Sequence, residues 1–344
     1  MTMPALRLGT RASALARTQS QWVADAVQAA TGRPVRLVNI VTEGDRSTAP
    51  VSRLGVGVFV SALRDALLAG EIDFAVHSYK DLPTAVHAGL RIAAVPTRED
   101  PRDALIARDG RTLAELPPGA TVGTGSLRRI AQLHALGLPL TVVPIRGNVD
   151  SRIRRVFGPE ADLDAIVVAR AGLARLGRTG EISEILDPML MLPAPAQGAL
   201  AVECRADDHE MSDLLAVLDH PPTRLAVAAE RAFLATLEAG CSAPVAALAL
   251  VAEGEVGEEI YLRGAVISPD GTREHRLSRS IAVPAEGGAA AALAAAEEVG
   301  RSLAVELLDG GASKILDAPE PSGAPAQDDA PIPPGARTHM GATK

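Results

Sequence analysis

Aromatic residues are scarce: one Trp, two Tyr and four Phe make up 2% of the 344 residues. Nucleic-acid binders need stacking rings and a basic footprint. With so few rings and a formal net charge of −8, this chain offers neither, and no nucleic-acid partner is expected. Lysine is scarcer still, since of 34 basic residues only Lys80, Lys314 and Lys344 are lysine and the other 31 are arginine. Two cysteines, Cys204 and Cys241, are too few for a disulfide framework and are read as thiols. No apolar run is long enough to span a membrane, and MTMPALRLGT lacks a basic segment followed by an apolar stretch. The expected location is therefore the cytoplasm. Gly123 and Gly125 flank Thr124, but no glycine follows at position 128, so no dinucleotide fingerprint is present, and there is no Walker A sequence. The seven histidines show no metal-ligand spacing, so no catalytic metal is expected.

What the chain does have is 47% apolar residues in strand and helix periodicities, enough for two or three domains. Ala5 to Gly9 reads as a strand, Thr10 to Ser13 as a turn and Ala14 to Ala30 as a helix closed by Gly32. Further strands are expected at Val35 to Thr42 and Ile72 to His77, with a long loop from Glu43 to Val58, read as a lid, before a helix near Phe59 to Ala69. A second set of the same kind starts near Arg102 and ends at Pro193-Ala194-Pro195. Gly198 to Cys204 then reads as a strand returning to the first set. Strands alternating with helices predict open, mostly parallel sheets with helices on both faces. From about Thr223 an alanine-rich helix, strands near Val245 to Val251 and Glu259 to Ile267, and a helix from Gly288 to Leu308 predict an α+β domain. Residues beyond Asp317 are rich in Pro, Gly, Ala and Asp and read as a disordered tail.

The arginines fall in particular places. Arg11 follows the first strand, Arg128 and Arg129 open the helix after Gly123-Thr124-Gly125-Ser126, Arg146 ends a strand, and Arg152 and Arg175 fall early in the helices that follow. These are carboxyl-edge positions, where open α/β sheets bind ligands. A helix start is already partly positive, so arginine there is mildly unfavourable unless an anion binds it and the backbone amides together. The planar guanidinium suits carboxylate or phosphate, each sheltered bond contributing about 1.5 to 3 kcal/mol. One such arginine is ordinarily a surface ion pair; several at equivalent places predict a polyanionic ligand.

Lys80-Asp81 lies just past a strand end, where Pro83 bars simple continuation as strand or helix. A carboxylate held there beside a cation can move protons to and from a leaving group or stabilise a cationic intermediate. Cys241 sits among small residues in Glu238-Ala239-Gly240-Cys241-Ser242-Ala243-Pro244, a loop where a thiol can be reached. Cys204, in an apolar strand, reads as a packed residue.

Five segments in one order, Gly9-Thr10-Arg11, His77-Ser78-Tyr79-Lys80-Asp81, Ser126-Leu127-Arg128-Arg129, Arg146-Gly147-Asn148-Val149 and Gly240-Cys241, resemble the porphobilinogen deaminase (hydroxymethylbilane synthase) family. The resemblance runs from Leu6 to Leu308. It implies two doubly wound α/β domains like those of periplasmic binding proteins, facing each other across a cleft, plus a C-terminal α+β domain. The corresponding boundaries are 1–97 with 197–216, then 98–196, then 217–316, with the tail at 317–344. It implies a monomeric transferase that joins four porphobilinogen molecules head to tail into hydroxymethylbilane, with loss of ammonia, on a covalent dipyrromethane cofactor. By the same resemblance, Cys241 would carry the cofactor through a thioether, with Ser126, Arg128, Arg129, Lys80 and Asp81 binding it. Arg11, Ser13, Arg146, Arg152, Arg175 and Gln197 would bind substrate. Asp81, assisted by Lys80, would be catalytic, helping ammonia leave and stabilising the azafulvene-like cation. The many acetates and propionates of a growing pyrrole chain would account for the arginine edge.

Gly55-Val56-Gly57-Val58-Phe59-Val60-Ser61 departs from the family in carrying no lysine, which weakens any lysine-mediated lid closure. Pro195-Ala196-Gln197-Gly198-Ala199 fits the family's hinge. A periplasmic anion receptor, the main rival, shares the sheet type but predicts export and gives Cys241 no purpose. A transcription-regulator effector domain would need a DNA-binding unit, and no basic domain precedes Leu6.

Overall fold

The computed structural model describes residues 4–40, 60–237, 244–255 and 257–316. The first strand, β1 (Leu6–Thr10), runs into helix α1 (Ala14–Thr31), which Ser13 caps by accepting from the Ala16 amide at 3.3 Å and which ends at Gly32. Val23, Ala24 and Val27 recur at helical spacing and turn one face of α1 inward onto the sheet. Then come β2 (Val35–Asn39), α2 (Ser61–Leu68), β3 (Phe74–Ser78), a 3₁₀ turn at Tyr79–Asp81, and β4 (Leu90–Ala94). The expected lid, 43–58, lies wholly outside the described residues, whereas Ser61 opens α2.

The chain next builds β5 (Asp103–Ala107), β6 (Thr121–Thr124), α3 (Leu127–Ala135), β7 (Thr141–Pro144), α4 (Val149–Phe157), β8 (Ala165–Ala169), α5 (Arg170–Arg175) and the two-residue β9 (Glu184–Ile185). It then returns as β10 (Leu200–Arg205). The two sheets have orders β2-β1-β3-β10-β4 and β7-β6-β8-β5-β9. In the first, β1 pairs parallel with β2 and β3, and β10 is antiparallel to both its neighbours. In the second, β6 pairs parallel with β7 and β8, and β5 is antiparallel to both of its neighbours. The expected mostly parallel sheets thus each contain one reversed strand. Its cause is connectivity: β5 is the first strand the chain lays down on entering the second sheet, and β10 the last it lays down on coming back to the first.

After α6 (His209–Ala216), helix α7 (Pro221–Thr236) opens the third unit, its start capped by His220, whose ring accepts from the Thr223 amide at 3.3 Å. An antiparallel sheet follows, β11 (Val245–Gly254), β12 (Gly257–Ile267) and β13 (Glu274–Ala282), then α8 (Gly288–Leu307) and the short α9 (Ser313–Leu316). Its core gathers Phe233 of α7, Ile260 and Leu262 of β12, and Val299 and Leu303 of α8. The chain is thus two sheet-and-helix α/β domains and a C-terminal α+β domain. Among the described residues no helix is long and apolar enough to cross a membrane. The expected tail lies outside the described residues.

Candidate active site at the crossover between the sheets

The two passages between the sheets, just before β5 and just before β10, lie side by side. At Gly198 the backbone is left-handed (φ +88°), and a Cβ there would stand 2.3 Å from the Glu99 carbonyl oxygen, so only glycine lets the two passages approach so closely. Ala196, two residues earlier, is also left-handed (φ 61°) and fully buried. Gln197, between them, is fully buried as well, and its amide sits at the centre of the site. Its nitrogen donates to the Pro101 carbonyl at 2.6 Å and to the Asp103 carboxylate at 2.8 Å. Its oxygen accepts from Lys80 Nζ at 3.4 Å and Arg129 Nη2 at 3.3 Å.

Asp103, the first residue of β5 and fully buried, is the anionic centre. Arg128 Nη1 lies 2.8 Å from one carboxylate oxygen and Arg129 Nη2 lies 2.9 Å from the other. Burial alone would raise the pKa of this carboxyl group. The two guanidiniums and the Gln197 hydrogen bond outweigh burial and hold it at about 2. Arg128 also donates to the Leu192 carbonyl at 2.6 Å and Arg129 to the Val167 carbonyl at 3.1 Å. Both are buried at the start of α3, and burial pulls the Arg128 pKa down. One carboxylate facing two guanidiniums leaves the cluster positive. Burial lowers Lys80 to about 8, against the pull of the neighbouring Asp81 charge. Asp81 itself, last residue of the 3₁₀ turn, is exposed.

The structure therefore brings Lys80 of the first sheet's edge together with Arg128, Arg129 and Gln197. Arg152, on α4, stands beside this group. Its pKa is lowered by burial and by the positive charges of Arg129 and Arg146, and its Nε donates to the Gly147 carbonyl at 2.9 Å. A Cβ at Gly125 would meet the Ile145 carbonyl oxygen at 2.6 Å and Arg152 Nη2 at 3.4 Å, so the bare glycine keeps the approach to that guanidinium open. Arg175 ends α5 rather than falling early in its helix, because the helix is only six residues long. Its Nη2 donates to the Gly198 carbonyl at 2.7 Å, and burial lowers it to about 10, still charged at neutral pH.

Arg11 is half-buried directly after β1, Ser126 is the N-cap residue of α3, and Arg146 is exposed after β7. Ser13, expected at the substrate, uses its hydroxyl to cap α1. Cys241 lies outside the described residues. Cys204 is fully buried in β10, where burial pushes its thiol up to about 11.

Sequence reasoning passed over Asp103 and Glu230. Glu230, on α7 and fully buried, accepts from the amides of Ala196 at 2.5 Å and Ala249 at 2.7 Å, and from Arg98 at 2.7 and 3.0 Å. The available signal was a charged residue bordering an apolar run: Asp103 before Ala104-Leu105-Ile106-Ala107, and Glu230 after Ala226-Val227-Ala228-Ala229.

Residues 6–213 match the family model described as "Porphobilinogen deaminase, dipyromethane cofactor binding domain", and 224–309 match "Porphobilinogen deaminase, C-terminal domain". The chain is 55% identical to a porphobilinogen deaminase of Nocardia farcinica, over 98% of its own length and 93% of the relative's. It is likewise 55% identical to that of Mycolicibacterium paratuberculosis, over 90% and 96%. Similar solved structures include a methionine-binding protein (TM-score 0.41, 14% identity, 62% of this chain and 89% of that one). Another is a periplasmic substrate-binding protein from Coxiella burnetii (TM-score 0.40, 14% identity, 63% and 93%). Matched along nearly its whole length, the chain belongs to the porphobilinogen deaminase family, transferases that build hydroxymethylbilane from porphobilinogen and carry a dipyrromethane cofactor.

Proposed function

We propose that the crossover cleft is where this chain polymerises porphobilinogen, with Asp81 as its catalytic carboxylate and the arginine edge as its carboxylate-binding surface. The observation that carries this reading is the convergence of Lys80 and Arg129, from the two sheet domains, on the one oxygen of Gln197, next to an exposed Asp81. The donor set suits dipyrromethane, whose acetates and propionates are four carboxylates. Ser126, Arg128, Arg129 and Lys80 would hold them, with the positive excess around Asp103 as the attraction. Bound there, the cofactor would supply a nucleophilic pyrrole carbon for chain growth.

Arg11, Ser13, Arg146, Arg152, Arg175 and Gln197 would orient the incoming substrate. Ser13 would do so through its backbone or by giving up its cap. Asp81 gives a proton to the departing amine or keeps that amine protonated, then offers its carboxylate to the cation left behind. Lys80 meets a substrate carboxylate and restrains Asp81 by attraction, and charge pairing at the cleft favours its protonated form. Porphobilinogen carries two carboxylates, so charge complementarity also speeds its capture.

The anchor in this reading is Cys241, which follows α7 in sequence. A thiol held at about 11 is almost wholly protonated at neutral pH and its sulfur is enclosed in the core, which disfavours Cys204 as the nucleophile. We further take the domains to divide at 1–97 with 197–216, 98–196 and 217–316, and the protein to act as a cytoplasmic monomer without nucleic acid.

The deciding experiment is the intact mass of the denatured protein beside Cys241→Ser. The expected result is a two-pyrrole adduct on the wild type and none on the variant, since a thioether survives denaturation. If both run at sequence mass even after incubation with porphobilinogen, the reading fails.

A further inference from the structure

Asp81 makes no hydrogen bond or ion pair among the described residues, and the neighbouring Lys80 acts on it by charge alone. Its position is set by the backbone of the 3₁₀ turn, and that turn is short of internal bonds. The Leu82 amide donates to the Tyr79 carbonyl at 3.2 Å, and Pro83 has no amide hydrogen to give. The carbonyls of Leu82 and Pro83 are instead met from outside. Arg231, on α7 of the third domain, donates to Leu82 O at 3.0 Å and Pro83 O at 2.6 Å, with Tyr79 O at 3.5 Å. Its guanidinium also lies 4.6 Å from the centre of the Tyr79 ring.

One side chain thus grips the backbone on both sides of Lys80-Asp81. We infer that Arg231 is a positioning residue, setting where the Asp81 carboxylate stands in the cleft. This inference rests on the proposed role of Asp81. The neighbouring Glu230 ties the same turn of α7 to Ala196 in the crossover, so the catalytic turn and the passage bearing Gln197 are referred to one rigid helix. In sequence, Cys241 follows the last residue of that helix by five positions.

The test uses the holoenzyme, its adduct mass confirmed first, and compares Arg231→Met, Arg231→Lys and Arg224→Met. Arg224 lies on the same helix and fastens it to Asp219 at 2.8 Å and to the Ala93 carbonyl at 3.1 Å, with no hydrogen bond to the turn among the described residues. Displacing a reacting group by about 1 Å can cost on the order of 100-fold in rate. Arg231→Met should lower kcat by about 10- to 100-fold with KM changed less than about threefold. Arg231→Lys should fall between Met and wild type, and Arg224→Met should keep kcat within about twofold.

Unchanged kcat in adduct-bearing Arg231→Met overturns the inference. So does a parallel loss of kcat and Tm in both Met variants, which would make Arg231 only part of the domain contact. Should Arg231→Met not fold, Arg231→Lys decides alone: a several-fold lower kcat at unchanged Tm supports the inference, and wild-type kcat overturns it. A wild type without adduct or turnover is a different failure, that of the deaminase reading, and it removes the basis for this one.

Discussion

The Gln197 side chain stands between the charges of Asp103 and Lys80, donating to the carboxylate at 2.8 Å and accepting from the ammonium at 3.4 Å. The Pro101 carbonyl fixes which way the amide points, so its oxygen must face Lys80 and Arg129. Gln197→Ala strips a donor from a buried carbonyl and leaves a gap between fixed charges. The expected cost is about 1 to 3 kcal/mol of stability by denaturant titration, with a raised KM for porphobilinogen. Wild-type values of both would show that Lys80 and Arg129 need no bridge.

Asp103→Asn should be more damaging. Two buried guanidiniums would keep their charge with no carboxylate to answer it, a loss of about 3 to 5 kcal/mol. The pH dependence has a definite sign. The folded carboxyl titrates at about 2, below its ordinary 3.8, so its contribution is whole above 3.8 and disappears as pH falls toward 2. Acid unfolding of Asp103→Asn should lack that part of the slope; an identical acid limb would remove Asp103 from the stability account.

Lys80 works the other way. Its folded pKa of about 8 lies below the usual 10.5, so between those values the unfolded chain holds the proton more tightly and stability rises with pH. Lys80→Met should therefore raise the Tm of the apoprotein while reducing turnover, an exchange of stability for function. In the wild type, kcat/KM should fall as pH rises through about 8, with the limb moved well upward in Lys80→Arg. A Lys80→Met protein that melts earlier would contradict the burial penalty.

Asp81→Ala removes an exposed carboxylate that bonds to nothing among the described residues, so Tm should change by little. Turnover should fall at least about 100-fold, the lower end of what a positioned acid–base group contributes. An active Asp81→Ala enzyme, measured by hydroxymethylbilane formation, would end the catalytic assignment.

Much of this was legible in the sequence because local rules and tertiary outcome coincide. α1 begins and ends where Ser13 and Gly32 put it, and the strand expected at Gly198 to Cys204 returns to the first sheet as β10, Leu200–Arg205. The family's motif residues at Lys80, Arg129 and Gln197 do converge. Strands β4, β9 and β13 and helix α6 were missed. β9 has two residues, too few for any period, and β13, Glu274–Ala282, is mostly exposed and polar. Strand direction was out of reach because pairing partners lie far apart: β3 pairs with β10 through Ser78 and Leu200. The arginine edge pointed to an anionic ligand, whereas the anion that Arg128 and Arg129 meet in the fold is the protein's own Asp103.

The exchange of strands between the two sheets also bears on how the protein is made. β10 fills the place between β3 and β4, so the first sheet has a slot in it until Arg205 has been synthesised. At ordinary elongation rates, the roughly hundred residues after Ala94 take on the order of ten seconds, with two apolar strand edges unpaired. The nascent chain is then most exposed to aggregation and chaperone capture, and a fragment ending before β10 should behave as a client rather than as a domain.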